Sequence, residues 1–458
     1  MSVDDLSPLE RLHADLMSRW PETKIEPNLA RIARLMELLG DPQRSYRVIH
    51  VTGTNGKTST ARMTESLLRA FGLSTGLYTS PHLARVTERI QLSGEPVSDE
   101  RFIEAYEELQ PYIEIVDAES VTAGGPAMSY FEVITGLALA MFADAPVDVA
   151  VIEVGMGGTW DATNVADGQV AIVTPIDLDH AEYLGPTIAD VALEKSGIIK
   201  PEATAVLAAQ PIEAAEILIA RCAAVGTEPL REGVEFSVVE REVAVGGQLL
   251  TLQTSGSEGV TIYSELLLPL HGAHQAENAG LALAAVAAFL SDGTRALDID
   301  IVREGFASVV SPGRLEIVRR SPTVLLDSAH NPHGARALAD ALGDSFTFSY
   351  LVGVVAVLSD KDSRAMLEAL EPVLDEVIVT RSLSPRATPV DQLAEVARSV
   401  FGDDRVSVAH TIPDALELAI ARADESATET GGSGAGVLVT GSVVTAAEAR
   451  MLLAGDDA

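Results

Sequence analysis

The stretch His50-Val-Thr-Gly-Thr-Asn-Gly-Lys-Thr-Ser59 has the residue types needed to hold a phosphate chain. A short apolar run, Val48 to Val51, feeds a glycine-bearing turn, and an amphipathic segment follows directly. In that order the turn can line backbone N–H groups around phosphate oxygens, with a helix N-terminus aimed at the same point. Lys57 adds a cation, and Thr58 adds a hydroxyl suited to Mg²⁺. Thr54, Asn55, Gly56, Lys57, Thr58 and Ser59 are therefore the candidate nucleotide contacts. The longer G-x-x-x-x-G-K-[ST] pattern is incomplete, because Val51 stands where its first glycine would be.

A second candidate is Glu153, at the end of the apolar run Val147 to Val154. The carboxyl edge of a parallel sheet is where α/β folds place active-site groups. The Gly155-Met-Gly-Gly158 that follows lets backbone approach a ligand closely. A hard oxygen donor such as Glu153 suits Mg²⁺, which keeps waters and phosphate oxygens in its shell. No G-x-S-x-G elbow, H-E-x-x-H zinc pattern or closely spaced cysteine pair accompanies these groups, so nucleophilic serine and zinc chemistry are not indicated.

Taken in order, the motifs resemble those of the Mur ligase superfamily, and of its folate branch in particular. The Gly53-Thr-Asn-Gly-Lys-Thr58 loop is similar to the family's nucleotide loop. It is followed by Thr79-Ser-Pro-His-Leu83 with Glu88-Arg-Ile90, then by Ile152-Glu-Val-Gly-Met-Gly-Gly158 with Asp161-Ala-Thr-Asn164. Asp179-His180 with Leu184-Gly185, Glu194-Lys-Ser-Gly-Ile198, His274 to Asn278, Pro312-Gly-Arg-Leu-Glu316, Asp327-Ser-Ala-His-Asn-Pro332 and Thr440-Gly-Ser442 complete the series. The resemblance spans roughly residues 25–445.

That resemblance implies an ATP- and Mg²⁺-dependent carbon–nitrogen ligase that adds L-glutamate to dihydropteroate and to reduced folates. A substrate carboxylate would take the γ-phosphoryl group, and the glutamate amine would displace phosphate from the acyl phosphate. It implies Lys57, Glu153, His180 and Lys195 as catalytic, with Ser80, Glu153, His180 and Lys195 as metal ligands; the family's matching lysine is commonly carbamylated. Asn278, Arg314, Asp327 and His330 would add nucleotide contacts, and Ser442 would lie near the amino acid. Pteroate would lie against Glu26, Pro27, Asn28 and Leu29, against Ser129, Tyr130, Phe131 and Glu132, and against Trp160, Asp161 and Ala162. Phe131 is the candidate stacking ring, since a pterin is a flat heteroaromatic. Thr159 departs from the family, where arginine is frequent at that place.

Two narrower readings within this frame are chain extension of folates alone and a peptidoglycan-type ligase; the second fits poorly with the Ser80-Pro-His-Leu83 and Asp327-Ser-Ala-His-Asn-Pro332 segments. From another class, a non-catalytic nucleotide-binding protein would not need Lys57, Glu153, His180 and Lys195 together.

The elements that must position these residues can be read from hydrophobic spacing. Leu29, Ile32, Ala33, Leu35, Met36 and Leu39 mark a helix stopped by Gly40, and Met63, Leu67, Leu68 and Phe71 mark another ended by Gly72. Val48–Val51, Val147–Val154 and Ala171–Thr174 are continuous apolar runs of the kind buried in parallel sheets. Residues 230–268 alternate with Gly-Gly and Ser-Gly turns, which predicts a few antiparallel strands, and an alanine-rich helix runs from His274 to Leu290. After Pro312-Gly313 the α/β rhythm restarts. Strands are predicted at 323–326, 351–357, 376–380 and 437–440, with helices near 334–343, 363–374, 390–401 and 445–454. Gly431 to Gly436 reads as a surface loop.

The expected fold is α/β: a P-loop ligase domain over residues 1–311, with a mostly parallel sheet and a small β insertion, and a smaller Rossmann-like domain over 312–458. Two domains suit 458 residues, and the site is expected in the cleft between them. A net charge of −35 argues against a nucleic-acid partner, and no apolar stretch reaches membrane-spanning length. One cysteine, Cys222, excludes an internal disulfide and suits a reducing compartment. A cytoplasmic protein, monomeric by the same resemblance, is expected.

Overall fold

The computed structural model describes residues 7–19, 26, 28–256, 259–291, 295–429 and 434–454. Contacts divide the chain into two units, Met1–Glu240 with Leu250–Leu267 and Glu277–Val309, and Arg241–Leu249 with Leu268–Ala276 and Val310–Ala458.

Among the described residues, eight strands of the first unit form one sheet. They are β1 Arg47–Thr52, β2 Thr75–Tyr78, β3 Ile90–Leu92, β4 Glu95–Pro96, β5 Val149–Glu153, β6 Val170–Val173, β7 Thr204–Leu207 and β8 Leu230–Arg231, in the order β4-β3-β2-β5-β1-β6-β7-β8. From β2 to β8 the neighbours pair in parallel, and β3 and β4 close one edge antiparallel. The central strands are buried on both faces, which is why Val48–Val51 and Val149–Ile152 read as unbroken apolar runs. β1 lies between β5 and β6, with Val51 opposite Glu153 and Thr52 opposite Val173, so three loops emerge side by side at one carboxyl edge.

The predicted helices on either side of β1 are present as Ala30–Leu38 and Lys57–Ala70, and Gly40 and Gly72 have the positive φ that ends them. The first of these packs into the same core as the buried helix Tyr130–Asp144. Residues 236–268 supply three further strands, β9 Phe236–Ala244, β10 Gly247–Gly256 and β11 Gly259–Leu268, in sequential order. A connection of only Val245 and Gly246 leaves β9 and β10 no course but antiparallel. The helix Ala273–Ser291 follows.

The second unit holds a six-stranded sheet: β12 Glu316–Arg320, β13 Thr323–Leu326, β14 Tyr350–Val355, β15 Glu376–Val379, β16 Val406–Val408 and β17 Ala435–Thr440, ordered β12-β13-β17-β14-β15-β16. All pairs are parallel except β12–β13. The helix expected to run to residue 374 stops at Leu370 and tightens into a 3₁₀ turn, Glu371–Val373, because Pro372 cannot continue it. β17 begins at Ala435, so the end of the glycine-rich segment expected as loop is buried strand. Gly436 is needed there because a Cβ would stand 2.4 Å from the Phe348 ring. Gly431 to Ser433 lie outside the described residues.

Candidate active site

The nucleotide loop leaves β1 at Thr52 and enters the helix Lys57–Ala70 at Gly56. Gly53 and Gly56 sit at φ of +145° and +87°, and neither position has room for a side chain. A Cβ on Gly53 would be 1.9 Å from Thr174 Oγ1, and one on Gly56 would be 2.5 Å from Asn278 Oδ1. Thr174 Oγ1 donates to Asn55 O at 2.6 Å, and the N–H groups of Thr54 and Asn55 donate to Pro175 O at 3.0 and 3.4 Å. Thr54 Oγ1 donates to Asp177 O at 2.9 Å, which ties the loop to the chain after β6. Lys57 Nζ folds back onto Gly53 O and Thr54 O, 3.1 Å each. Thr54, Ser59 and Asn278 are all buried. A loop with no room for a Cβ at Gly53 and Gly56, at a helix N-terminus and with Lys57 folded over it, fits a phosphate chain.

Glu153 closes the other side. Its two oxygens accept from Thr58 Oγ1 at 2.8 and 3.1 Å, and the second accepts from Ser80 N at 3.2 Å. Carboxylate and hydroxyl thus converge beside the phosphate cradle, a hard-oxygen pair that fits Mg²⁺. Lys195 is 3% exposed and its Nζ donates to Gly53 O at 2.8 Å. Burial and the neighbouring Lys57 push its pKa down to about 7, against Asp179, Asp161 and Glu194, which pull it up. His180 has φ +52° at the start of a one-turn helix, and its Nε2 lies 3.9 Å from Asp179 Oδ1. Among the described residues, no three His, Cys, Asp or Glu side chains gather as a ready metal cluster. Of the four ligands implied by resemblance, the structure ties Glu153 to the Ser80 backbone, while Lys195 is held on the loop itself.

The aromatic wall comes from the start of the helix Tyr130–Asp144. Ser129 and Glu132 build its capping box: Glu132 N donates to Ser129 Oγ at 3.2 Å and Ser129 N to Glu132 Oε2 at 2.7 Å. Tyr130 is core, 1% exposed, with its hydroxyl 3.2 Å from His13 Nε2. Phe131 is half-buried and lies over Gly155, where a Cβ would come within 2.4 Å of its Cζ. Its ring centroid is 6.1 Å from that of Tyr78. The N-terminal loop joins this wall through a residue the sequence did not single out. Arg31 donates to Glu132 Oε1 at 3.0 Å and to Glu26 Oε2 at 2.6 Å. Asn28 Oδ1 accepts from Ala30 N at 2.9 Å, and Leu29 packs on the core below; Pro27 lies outside the described residues.

The segment after Gly158 is a tightly bonded turn. Asp161 is buried and accepts from Met156 N at 2.9 Å, Thr163 N at 3.0 Å and Thr163 Oγ1 at 2.5 Å. Ala162 is buried beside it, and Trp160 N donates to Glu194 Oε1 at 3.2 Å. Thr159 is exposed and donates its hydroxyl to Glu194 O at 3.0 Å. Gly197 must be glycine because a Cβ would be 2.2 Å from that Thr159 hydroxyl.

In the second unit the Pro312–Glu316 and Asp327–Pro332 segments are knit together. Asp327 accepts from Leu315 N at 3.0 Å and Ala329 N at 2.8 Å, Ser328 N donates to Gly313 O at 2.9 Å, and Gly313 N donates to Glu316 Oε2 at 2.8 Å. Leu315 is thereby held at φ +46°. Burial pushes the Asp327 carboxyl up, against the nearby Arg314. Arg314 and His330 are half-buried, and His330 Nδ1 lies 3.0 Å from Ser328 O. Ser442 is buried and its Oγ accepts from Thr445 N at 3.0 Å, as a helix cap.

The chain matches the Mur ligase middle domain over residues 116–286 and the Mur ligase glutamate ligase domain over 313–443. It is 50% identical to the dihydrofolate synthase/folylpolyglutamate synthase of Mycobacterium tuberculosis, over 99% of this chain and 95% of that protein. It is 34% identical to the Escherichia coli protein of the same name, over 85% of this chain and 84% of that one. The M. tuberculosis folylpolyglutamate synthase complexed with ADP superposes with a TM-score of 0.92, covering 98% of both chains. E. coli FolC in complex with DHPP and ADP superposes with a TM-score of 0.80 at 31% identity, covering 96% of each. The chain belongs to the dihydrofolate synthase/folylpolyglutamate synthase family of Mur ligases.

Proposed function

We propose that this chain joins L-glutamate to dihydropteroate and to reduced folates, converting ATP to ADP and phosphate. The observation that carries the reading lies in the turn after β5. Glu153 meets Thr58 beside the phosphate cradle, and two residues on, Gly155 carries the Phe131 ring. A flat heteroaromatic against that ring would lie on the turn that follows Glu153.

The substrate carboxylate oxygen would attack the γ-phosphorus as the bond to ADP breaks. The glutamate amine would then attack the acyl carbon, shed its proton and expel phosphate. Lys57 offsets the negative charge on the transferring group, and the glycine loop positions it without a side chain in the way. Glu153, with the hydroxyls of Thr58 and Ser80, would hold Mg²⁺, and His180 is the further ligand the resemblance implies. When bound, the ion supplies charge neutralisation between phosphate oxygens. Lys195 as an ammonium steadies Gly53 O; a carbamate at that amine, as the resemblance implies, would add an oxygen ligand. Asn278 on the helix Ala273–Ser291, and Arg314, Asp327 and His330 on the second unit, are the proposed additional nucleotide contacts.

The test is phosphate release from Mg-ATP and glutamate with dihydropteroate, tetrahydrofolate or a UDP-sugar peptide as acceptor. Release with both pterins supports the two-step reading, and release with tetrahydrofolate alone restricts it to chain extension. Release only with the UDP-sugar peptide would overturn the folate assignment. No helix among the described residues is long and apolar enough to cross a membrane. With Cys222 a buried free thiol, the same reading places the chain in the cytoplasm. Monomeric behaviour follows from the resemblance and is checked by light scattering.

A further inference from the structure

Two residues of β1 are linked to the turn that follows Glu153, one directly and one through partners. Residues two apart on a strand share a face. Thr52 Oγ1 donates to Gly157 O at 2.8 Å. His50, which is fully buried, reaches the same turn indirectly: its Nε2 lies 2.8 Å from Thr163 Oγ1, which donates to Asp161 Oδ1 at 2.5 Å. Asp161 Oδ2 in turn accepts from Met156 N, three residues after Glu153. His50 Nδ1 has no hydrogen-bond partner among the described residues.

Proton positions along this chain follow from counting donors. Asp161 receives two backbone N–H groups and one hydroxyl, a set that favours the carboxylate over the acid. Burial works in the other direction and pushes Asp161 up, but a protonated Asp161 would have to give its proton to Thr163. Thr163 would then donate to Nε2, and the imidazole proton would sit on Nδ1, buried with no acceptor. An orphaned buried donor is rarer and costlier than an orphaned lone pair. The arrangement that survives has Nε2–H donating to Thr163, Thr163 donating to an ionised Asp161, and a bare Nδ1.

We infer that His50 is a positioning residue for the ligation. Through Thr163 it fixes Asp161, and through Asp161 it fixes the Gly155–Gly158 turn between Glu153 and Lys195. Asp161 also contributes negative charge near Lys195, so the relay sets the place of an anion as well as a backbone. The inference rests on the ligase reading for its kinetic arm and stands apart from it for its spectroscopic arm.

The spectroscopic arm labels histidine with ¹⁵N and assigns His50 with the H50Q variant. The expected signal is an unprotonated Nδ1 and a protonated, slowly exchanging Nε2; a proton on Nδ1 overturns the relay. The kinetic arm compares Thr163→Ser and Thr163→Val, and His50→Gln and His50→Met. Losing the hydroxyl or the donor should lower kcat about ten-fold or more, while T163S and H50Q stay within about three-fold of the parent. KM for ATP should change little, because Thr174 and Pro175 hold the nucleotide loop separately. T163V at the parent kcat, or T163S falling as far as T163V, overturns the proposal. Should H50M fail to fold, the Thr163 pair decides. Should the parent chain release no phosphate with any acceptor, the ligase reading fails and the tautomer of His50 still decides the relay.

Discussion

The ring of Phe131 lies across Gly155, so closely that a Cβ on Gly155 would stand 2.4 Å from its Cζ. The ring wall and the Glu153 turn therefore share one contact. Gly155→Ala should push the ring aside, and Phe131→Ala should remove it. Each should raise KM for the pterin substrate about three- to ten-fold, the range of one aromatic stack. KM for ATP should stay near the parent value. Because both variants act on the same contact, the double variant should lose less than the sum. Additive losses in steady-state kinetics would show that the ring and the turn act separately.

Thr58 Oγ1 donates to Glu153 at 2.8 Å, which makes the hydroxyl a partner of the carboxylate as well as a candidate metal ligand. Thr58→Val should raise the Mg²⁺ concentration needed for half-maximal rate about ten-fold. Glu153→Gln keeps the shape, removes the charge, and should cost about a hundred-fold in kcat. A Mg²⁺ titration of phosphate release distinguishes the two, since excess metal should largely restore T58V and leave E153Q slow.

Arg31 joins Glu26 to Glu132 with both its own and Glu132's side chains under a tenth exposed. Removing one partner of a buried pair strands the other charge. Arg31→Met should therefore lower unfolding free energy by about 3 kcal/mol, read from urea denaturation. Adding Glu132→Gln should recover part of that loss. Arg31→Lys keeps the charge without the planar fork and should fall between.

Most of the frame is legible in the sequence, because the central strands are covered on both faces and leave unbroken apolar runs. The helices beginning at Lys57 and Ala30 carried their own stops in Gly72 and Gly40. The nucleotide loop was legible because its glycines answer a local steric demand. Residues acting through distant partners were not legible. Arg31 looks like any helix-surface arginine until Glu132, 101 positions away, is placed beside it. Tyr130 and Phe131 are adjacent and chemically alike, yet only the fold shows that one is core and the other lies over Gly155. The end of the Gly431–Gly436 segment reads as loop because small residues signal turns locally, whereas Gly436 answers to the Phe348 ring.

Stability should fall as pH drops from neutrality, through buried histidines held neutral in the fold, His50 and His274 among them, with His82 and His271 shifted the same way. Burial, aided by Lys200, pushes His50 down to about 3. Burial, aided by Arg314, His333 and Arg241, pushes His274 down to about 4. In the unfolded chain both take up a proton near the ordinary histidine pKa of about 6.5. Between that pH and about 4 the unfolded state binds more protons than the folded one, so stability rises with pH through this window. Above about pH 7 the two groups contribute no slope, since they are neutral in both states. The two histidines should therefore add nothing to the urea midpoints between about pH 8 and about pH 7, where Lys195, pushed down to about 7, makes stability rise with pH. Below that they should make the midpoints decline steadily toward about pH 5. His274→Gln should flatten that decline while leaving every carboxylate in place, which separates the histidine contribution from acid titration of the rest. A decline of unchanged steepness in H274Q would show that His274 is charged in the folded protein or that its burial is relieved in solution.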